Sequence, residues 1–248
     1  IDASITSNLM YGFSPIGYQS DAFSGNYDGQ YHTIEGLIID RPSEDNIGLF
    51  GMISSASECV IENLGIVDAN VTGNIKVGIL AGISNTQTIT ISKCYTTGTV
   101  TGNDQVGGLV GTNLSRIINS FSISDVSGDG DYHIVGGLVG WCIASDSEVI
   151  DCYSAGTASG STYVGALIGY TNGSNEACFW DASVQATGIG GGTTTGATGK
   201  STAQMKTQST FTNAGWDFTN IWSIDAGVNN GYPHLPEPAP APTVFTWD

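Results

Sequence analysis

One short phrase returns along this chain at almost constant spacing, and that spacing limits the fold more than any other feature. It reads Ile47-Gly48-Leu49-Phe50-Gly51, then Val77-Gly78-Ile79-Leu80-Ala81-Gly82. It returns as Val106-Gly107-Gly108-Leu109-Val110-Gly111, Val135-Gly136-Gly137-Leu138-Val139-Gly140 and Val164-Gly165-Ala166-Leu167-Ile168-Gly169. The closing glycines stand 31, 29, 29 and 29 residues apart. Apolar runs that arise by chance do not keep phase, and a fixed period of this size marks a repeat architecture. A second phrase lies between the copies: Ile61-Glu62-Asn63-Leu64, Ile91-Ser92-Lys93-Cys94-Tyr95, Ile118-Asn119-Ser120-Phe121 and Ile150-Asp151-Cys152-Tyr153, with a decayed copy at Glu176-Ala177-Cys178-Phe179. A third follows at Thr97–Gly102, Ser124–Gly128 and Gly156–Gly160. Each unit therefore carries three β-branched or apolar stretches bounded by Gly, Asn and Asp, the pattern of strands separated by turns.

Three strands of this length cannot bury a face alone. Stacked units do so, with neighbouring strands ~4.8 Å apart in parallel register. The expected fold is all-β: a parallel β-helix (β-solenoid) with three short strands per ~29-residue coil, N- and C-terminal caps and a Pro-rich C-terminal tail. Equivalent residues should form ladders along the axis, with Leu49, Leu80, Leu109, Leu138 and Leu167 as the core ladder. The flanking glycines are expected to allow corners or positive φ. A propeller blade needs about four strands in ~40 residues, and a leucine-rich repeat needs more leucines in a shorter unit. Cys94, Cys152 and Cys178 fall at one repeat position, where Leu64 and Ser120 stand in other units, and read as small buried hydrophobes. Cys152 and Cys178 would lie on adjacent coils, which leaves a disulfide between them open.

Six Lys+Arg against 23 Asp+Glu give a net charge of −17, which repels nucleic acid and anionic membranes. No run approaches the ~18 apolar residues that a membrane span needs. The composition suits an extracellular protein, secreted or attached to a cell surface, and a first residue other than Met reads as a processed or trimmed start. Residues 1–36 are expected to form an N-terminal cap and first coil, 37–180 the solenoid repeats, 181–235 a C-terminal cap, and 236–248 a Pro-rich linker with a β-prone tail. Ser201-Thr202 should cap a short helix. Trp216, Phe218, Trp222 and Tyr232 are bulky enough to cover the last coil. The alternating prolines from Pro236 to Pro242 form a polyproline-type spacer. Val244, Phe245 and Trp247 after it are the assembly candidates. This tail has three places to go: its own solenoid, a neighbouring copy by strand addition, or a further domain. Head-to-tail addition that does not close gives a filament.

His32, His133 and His234 are scattered, and no nucleophile, zinc or phosphate-loop motif occurs. No catalytic residue and no cofactor is expected. Asp125, Asp129 and Asp131, with Gly128 and Gly130, form the densest acidic group. They read as a turn that offers oxygen ligands for Ca²⁺, without the spacing of a helix-loop-helix site, and more simply as a solvated loop. Sequons stand at Asn70, Asn113 and Asn172.

The Val-Gly-Gly-Leu-Val-Gly copies and the Ile-x-Asn-Cys-Tyr stretches resemble GLUG-motif repeats. The likeness extends to the entry segment Phe23–Leu37 and to the exit segment, with Phe179-Trp180-Asp181, Gly215-Trp216-Asp217-Phe218 and Gly231-Tyr232-Pro233-His234-Leu235. The resemblance implies a bacterial surface β-solenoid of adhesin-like proteins and of the non-catalytic regions of some immunoglobulin-A peptidases. It implies no catalytic residues. The expected function is a non-enzymatic extracellular structural or adhesive solenoid that self-assembles into a filament or surface layer through its C-terminal strand. Its partners would be further copies of itself, or host or environmental surface glycans. One rival is a carbohydrate-binding module using Trp and Tyr on the cap or an outer face. The other is a polysaccharide lyase or hydrolase on a β-helix.

Overall fold

A computed structural model describes residues 1–18, 21–130 and 133–237. Asp131 and the assembly candidates Val244, Phe245 and Trp247 lie outside the described residues. The chain winds into a parallel β-solenoid of about five turns. Each full coil contains two strands of three or four residues separated by a bend that carries the repeated leucine, as in Asp104–Gly107 and Val110–Asn113, and a longer stretch such as Ile89–Gly102. Like strands pair coil to coil into sheets of 12, 4 and 6 strands, with parallel register throughout.

The second phrase explains how the largest sheet turns its corner. Asn63, Lys93, Asn119, Asp151 and Ala177 stack at one position, all with φ between 49° and 55°. A left-handed residue in a strand bends it, and Asn tolerates that conformation better than most side chains. On either side of the bend, side chains point inward. Ile61, Ile91, Ile117 and Val149 form one buried column. Leu64, Cys94, Ser120, Cys152 and Cys178 form the next. All five cysteines are free and buried, and burial pushes the Cys94 and Cys142 thiols up to about 12.

The repeated glycines stand at the corners, as at the Gly-Leu bend, but they also have a second task. Those of the Val-Gly-Gly-Leu-Val-Gly phrase do not adopt positive φ. They let two backbones touch, because the four- and six-stranded sheets lie directly on one another at a seam. A Cβ on Gly140 would sit 2.5 Å from Gly111 O and 2.8 Å from both Gln105 C and Val106 N. A Cβ on Gly169 would sit 2.7 Å from Val135 N, and one on Gly111 would sit 2.5 Å from Val77 N. The same closing position therefore recurs as a backbone-to-backbone contact. The leucines stand at the bend between the two seam strands, and all five are buried, Leu49 at 4% exposure and the other four at 0%.

The stack continues past residue 180. Ile189–Gly192 extends the six-stranded sheet and Ala197–Lys200 extends the largest one. The chain then forms the helix Thr202–Met205, whose N-cap Ser201 and Gln204 exchange a capping box. Beyond it lies the C-terminal segment, which packs first on Phe179 through Phe211 and Trp216. It runs back along the outer side of the largest sheet. Residues after the inward Cys column point outward there, and Tyr95, Phe121 and Tyr153 stack at 4.9 and 4.8 Å between ring centroids. Met205, Phe211, Trp216, Trp222, Tyr232 and Leu235 bury this aromatic column. Trp216 Nε1 donates to Ala177 O (2.8 Å), Trp222 Nε1 to Asn119 Oδ1 (3.3 Å) and Tyr153 Oη to Pro233 O (2.6 Å).

Asp181 ties this arm to the stack and makes it sensitive to acid. Burial pushes its carboxyl pKa up, but hydrogen bonds from Tyr232 Oη (2.7 Å), Thr202 and the Ser183 N–H (2.9 Å) outweigh burial and hold it below the ordinary value. A depressed folded pKa contributes stability that is complete above the unfolded value of about 3.9 and is lost as pH falls through the folded value. Tryptophan fluorescence should therefore report loosening of the arm below about pH 4. Asp181→Asn should flatten that acid dependence, and identical acid profiles for the two proteins would rule out this role.

Candidate functional site

The seam brings two outward columns face to face, and their sequence positions are simple. One column is the residue before each phrase: Lys76, Gln105, Ile134 and Tyr163. The other is the residue after each closing glycine: Ile83, Thr112, Trp141 and Tyr170. The character of the seam changes along its length. In the third coil it is closed by polar contact, with Thr112 Oγ1 donating to Gln105 Oε1 at 2.8 Å. In the fourth and fifth coils it becomes aromatic. Tyr163 and Tyr170 meet edge to face with centroids 4.8 Å apart.

At that aromatic end lies a shallow cleft of about 360 Å³, lined by Asp104, Ile134, Trp141, Tyr163, Tyr170 and Asn172. Its volume falls within the range of small-molecule sites. The three aromatic side chains are half-buried, so ring surface remains open to solvent. Asp104 is held in place: its Oδ1 accepts from the N–H groups of Gln105 (2.8 Å) and Ile134 (3.1 Å), and its Oδ2 accepts from Gln105 Nε2 (2.9 Å). Asn172 is exposed at the rim and anchored through Nδ2 to Ile143 O at 3.0 Å. Among the described residues, no Lys or Arg lines the cleft. The cleft thus offers flat apolar faces beside one fixed carboxylate and one amide. That arrangement is suited to binding a ligand with both apolar faces and hydrogen-bonding groups.

The aromatics expected to bind sugar from the cap are placed otherwise. Trp216, Trp222 and Tyr232 are buried against the outer column, at 3%, 2% and 8% exposure, and cannot serve as an open platform. Trp141, Tyr163 and Tyr170 were missed. The available signal was their position flanking the repeated phrase, which becomes a surface column only once the seam is known.

The acidic group is also placed differently. Asp125 lies within the strand Phe121–Gly128 rather than in a turn, and its Oδ1 accepts from Thr157 Oγ1 at 2.6 Å. Asp129 follows the end of that strand. Among the described residues, no group of three or more His, Cys, Asp or Glu side chains is arranged to hold a metal ion. Of the sequons, Asn113 is fully buried, with its Oδ1 accepting from Ser115 N and Oγ, which closes it to modification.

No family model matches the chain. Over 107 residues, 40% of its length, it is 44% identical to halomucin of Haloquadratum walsbyi, of which the match spans 1%. Over 127 residues, 48% of its length, it is 39% identical to a "Putative Gly-rich membrane protein" of Evansella cellulosilytica, of which the match spans 14%. The matches thus cover only a small part of either relative. Among solved structures, it resembles "a putative immunoglobulin A1 protease from Bacteroides ovatus", with a TM-score of 0.69, 21% identity, and coverage of 90% of this chain and 80% of the other. The chain therefore shares a β-solenoid fold with that protein, and sequence with segments of two much longer ones.

Proposed function

We propose that this chain is a non-enzymatic structural and adhesive solenoid of a cell surface, which assembles end to end with further copies of itself. The names of the two sequence relatives, a halomucin and a membrane protein, support a surface or structural role. No helix among the described residues is long and apolar enough to cross a membrane. The protease name of the structural neighbour belongs to that protein, since a likeness at 21% identity extends to the fold alone.

The observation that carries the assembly reading is the uneven distribution of exposed apolar side chains. Of the seven large ones exposed among the described residues, Ile1, Ile5, Leu9, Met10, Tyr11 and Ile16 lie at the N-terminal end of the stack and only Val184 lies elsewhere. Residues 1–18 and 21–23 reach the first coil through isolated bridges, such as Ile16 to Phe50 and Phe23 to Ile53, and these six side chains stay exposed. Exposed apolar side chains gathered at one end of a stack suit an interaction site. Val244, Phe245 and Trp247 supply complementary apolar side chains for a neighbouring copy's patch. Deleting residues 236–248 should abolish concentration-dependent polymers in light scattering. Polymers unchanged by the deletion would reject assembly through the tail.

A further inference from the structure

We infer that the aromatic end of the seam is a binding site for neutral glycans, with Trp141 and Tyr170 as stacking surfaces and Asp104 and Asn172 as hydrogen-bonding groups. The inference rests on the adhesive half of the reading above and gives it a ligand class.

Four observations carry it. First, the two columns of the seam change from polar to aromatic within one coil. Gln105 and Thr112 satisfy one another, whereas Ile134 with Trp141, and Tyr163 with Tyr170, place ring surface along a shallow cleft. Secondly, the aromatic residues sit on paired strands: Trp141 is directly opposite Tyr170, across a strand spacing of ~4.8 Å. The C–H faces of a pyranose ring are apolar, and a Trp or Tyr face provides a matching surface at little conformational cost. Thirdly, Asp104 is locked by three donors on its own chain, so it is positioned before any ligand arrives. Its charge-bearing oxygens and the amide of Asn172 at the rim are suited to sugar hydroxyls.

The fourth observation is charge, and it selects among glycans. Among the described residues the lining contains a carboxylate and no cation, on a chain of net charge −17. Uronates, sialylated sugars and sulfated polymers would be repelled both at the cleft and at longer range. Neutral hexoses and N-acetylhexosamines carry no such penalty. The same aromatic faces would suit a proline-rich peptide, including the chain's own Pro236–Thr243 segment. The polar groups of the cleft, a carboxylate and an amide flanking the rings, favour a ligand rich in hydroxyls.

The test uses the full chain on a printed array of neutral hexose and N-acetylhexosamine oligomers alongside uronate and sialylated oligomers, followed by calorimetry with the tightest neutral binder. Trp141→Ala should weaken that binding by at least about tenfold, and Trp141→Phe should retain most of it. Circular dichroism and melting curves check that each variant keeps the stack, and Tyr170→Ala is the second variant should Trp141→Ala fail to fold. The inference is overturned by an array with no neutral binder, by equal or tighter binding of acidic oligomers, or by neutral binding that both alanine variants leave unchanged. It is also overturned if a peptide of residues 236–243 binds in a Trp141-dependent manner and no neutral sugar does. Light scattering of the tail deletion separates the two proposals: assembly intact with no glycan binding removes only this inference, whereas glycan binding with unchanged polymers removes only assembly through the tail.

Discussion

Gly140→Ala should lower the unfolding free energy by about 3 kcal/mol, although it adds a single methyl group. That methyl would meet Gly111 O at 2.5 Å and the backbone of Gln105 and Val106 at 2.8 Å. Clashes with flexible side chains are relieved by rotation, but here every nearest atom belongs to a backbone fixed in a ladder. Relief requires the two seam sheets to separate. Because the coils on either side share those sheets, the strain reaches the third and fifth coils as well. Gly227→Ala is the matched control, since nothing lies within 4 Å of the position its Cβ would occupy. It should change stability by no more than about 0.5 kcal/mol. Equilibrium denaturation of both variants checks the prediction, and equal midpoints would show that the seam does not depend on close backbone approach.

Trp222→Ala should cost about 4 kcal/mol, the largest effect expected of a single truncation in the C-terminal arm. Its indole lies 4.5 Å from Trp216, 6.1 Å from Tyr153 and 6.2 Å from Phe121, measured between ring centroids, and is 2% exposed. Truncation leaves a cavity between arm and sheet and deprives Asn119 Oδ1 of its donor. The expected sequel is detachment of the arm, which uncovers the rings of Phe121 and Tyr153. A rise in binding of an apolar dye, with far-ultraviolet circular dichroism of the strands retained, would report that detachment. A variant that melts like the parent and binds no more dye would show that the arm adds little to the stack.

Much of the architecture was legible in the sequence because a solenoid repeats its local rules. The phrase containing Leu109 predicts a bend with an inward leucine, and every later copy predicts the same bend. The Ile-x-Asn-Cys-Tyr stretch encodes an inward residue, a left-handed bend, an inward residue and an outward ring. The second role of the glycines was not legible, because a turn and a close approach of two backbones call for the same residue. Nor was the course of the C-terminal arm. Trp216 and Trp222 declare that a large apolar surface must be covered, but their spacing does not say whether it is the end of the stack or its side. The outward column Tyr95, Phe121 and Tyr153 held the answer, and those rings read equally well as part of each coil. Trp141 and Tyr170 are ordinary aromatic residues in the sequence. They become a site only when the seam sets them beside Ile134, Tyr163 and Asp104.

Coils that contact only their neighbours come apart one at a time from a free end. The C-terminal arm removes that option here. It is bonded to Asn119, Tyr153 and Ala177, which belong to three successive coils, so the terminal coil cannot fray without breaking attachments two coils away. A pull on the chain beyond Glu237 would accordingly meet the aromatic arm first, and the strands beneath it would be shielded until that clasp opened.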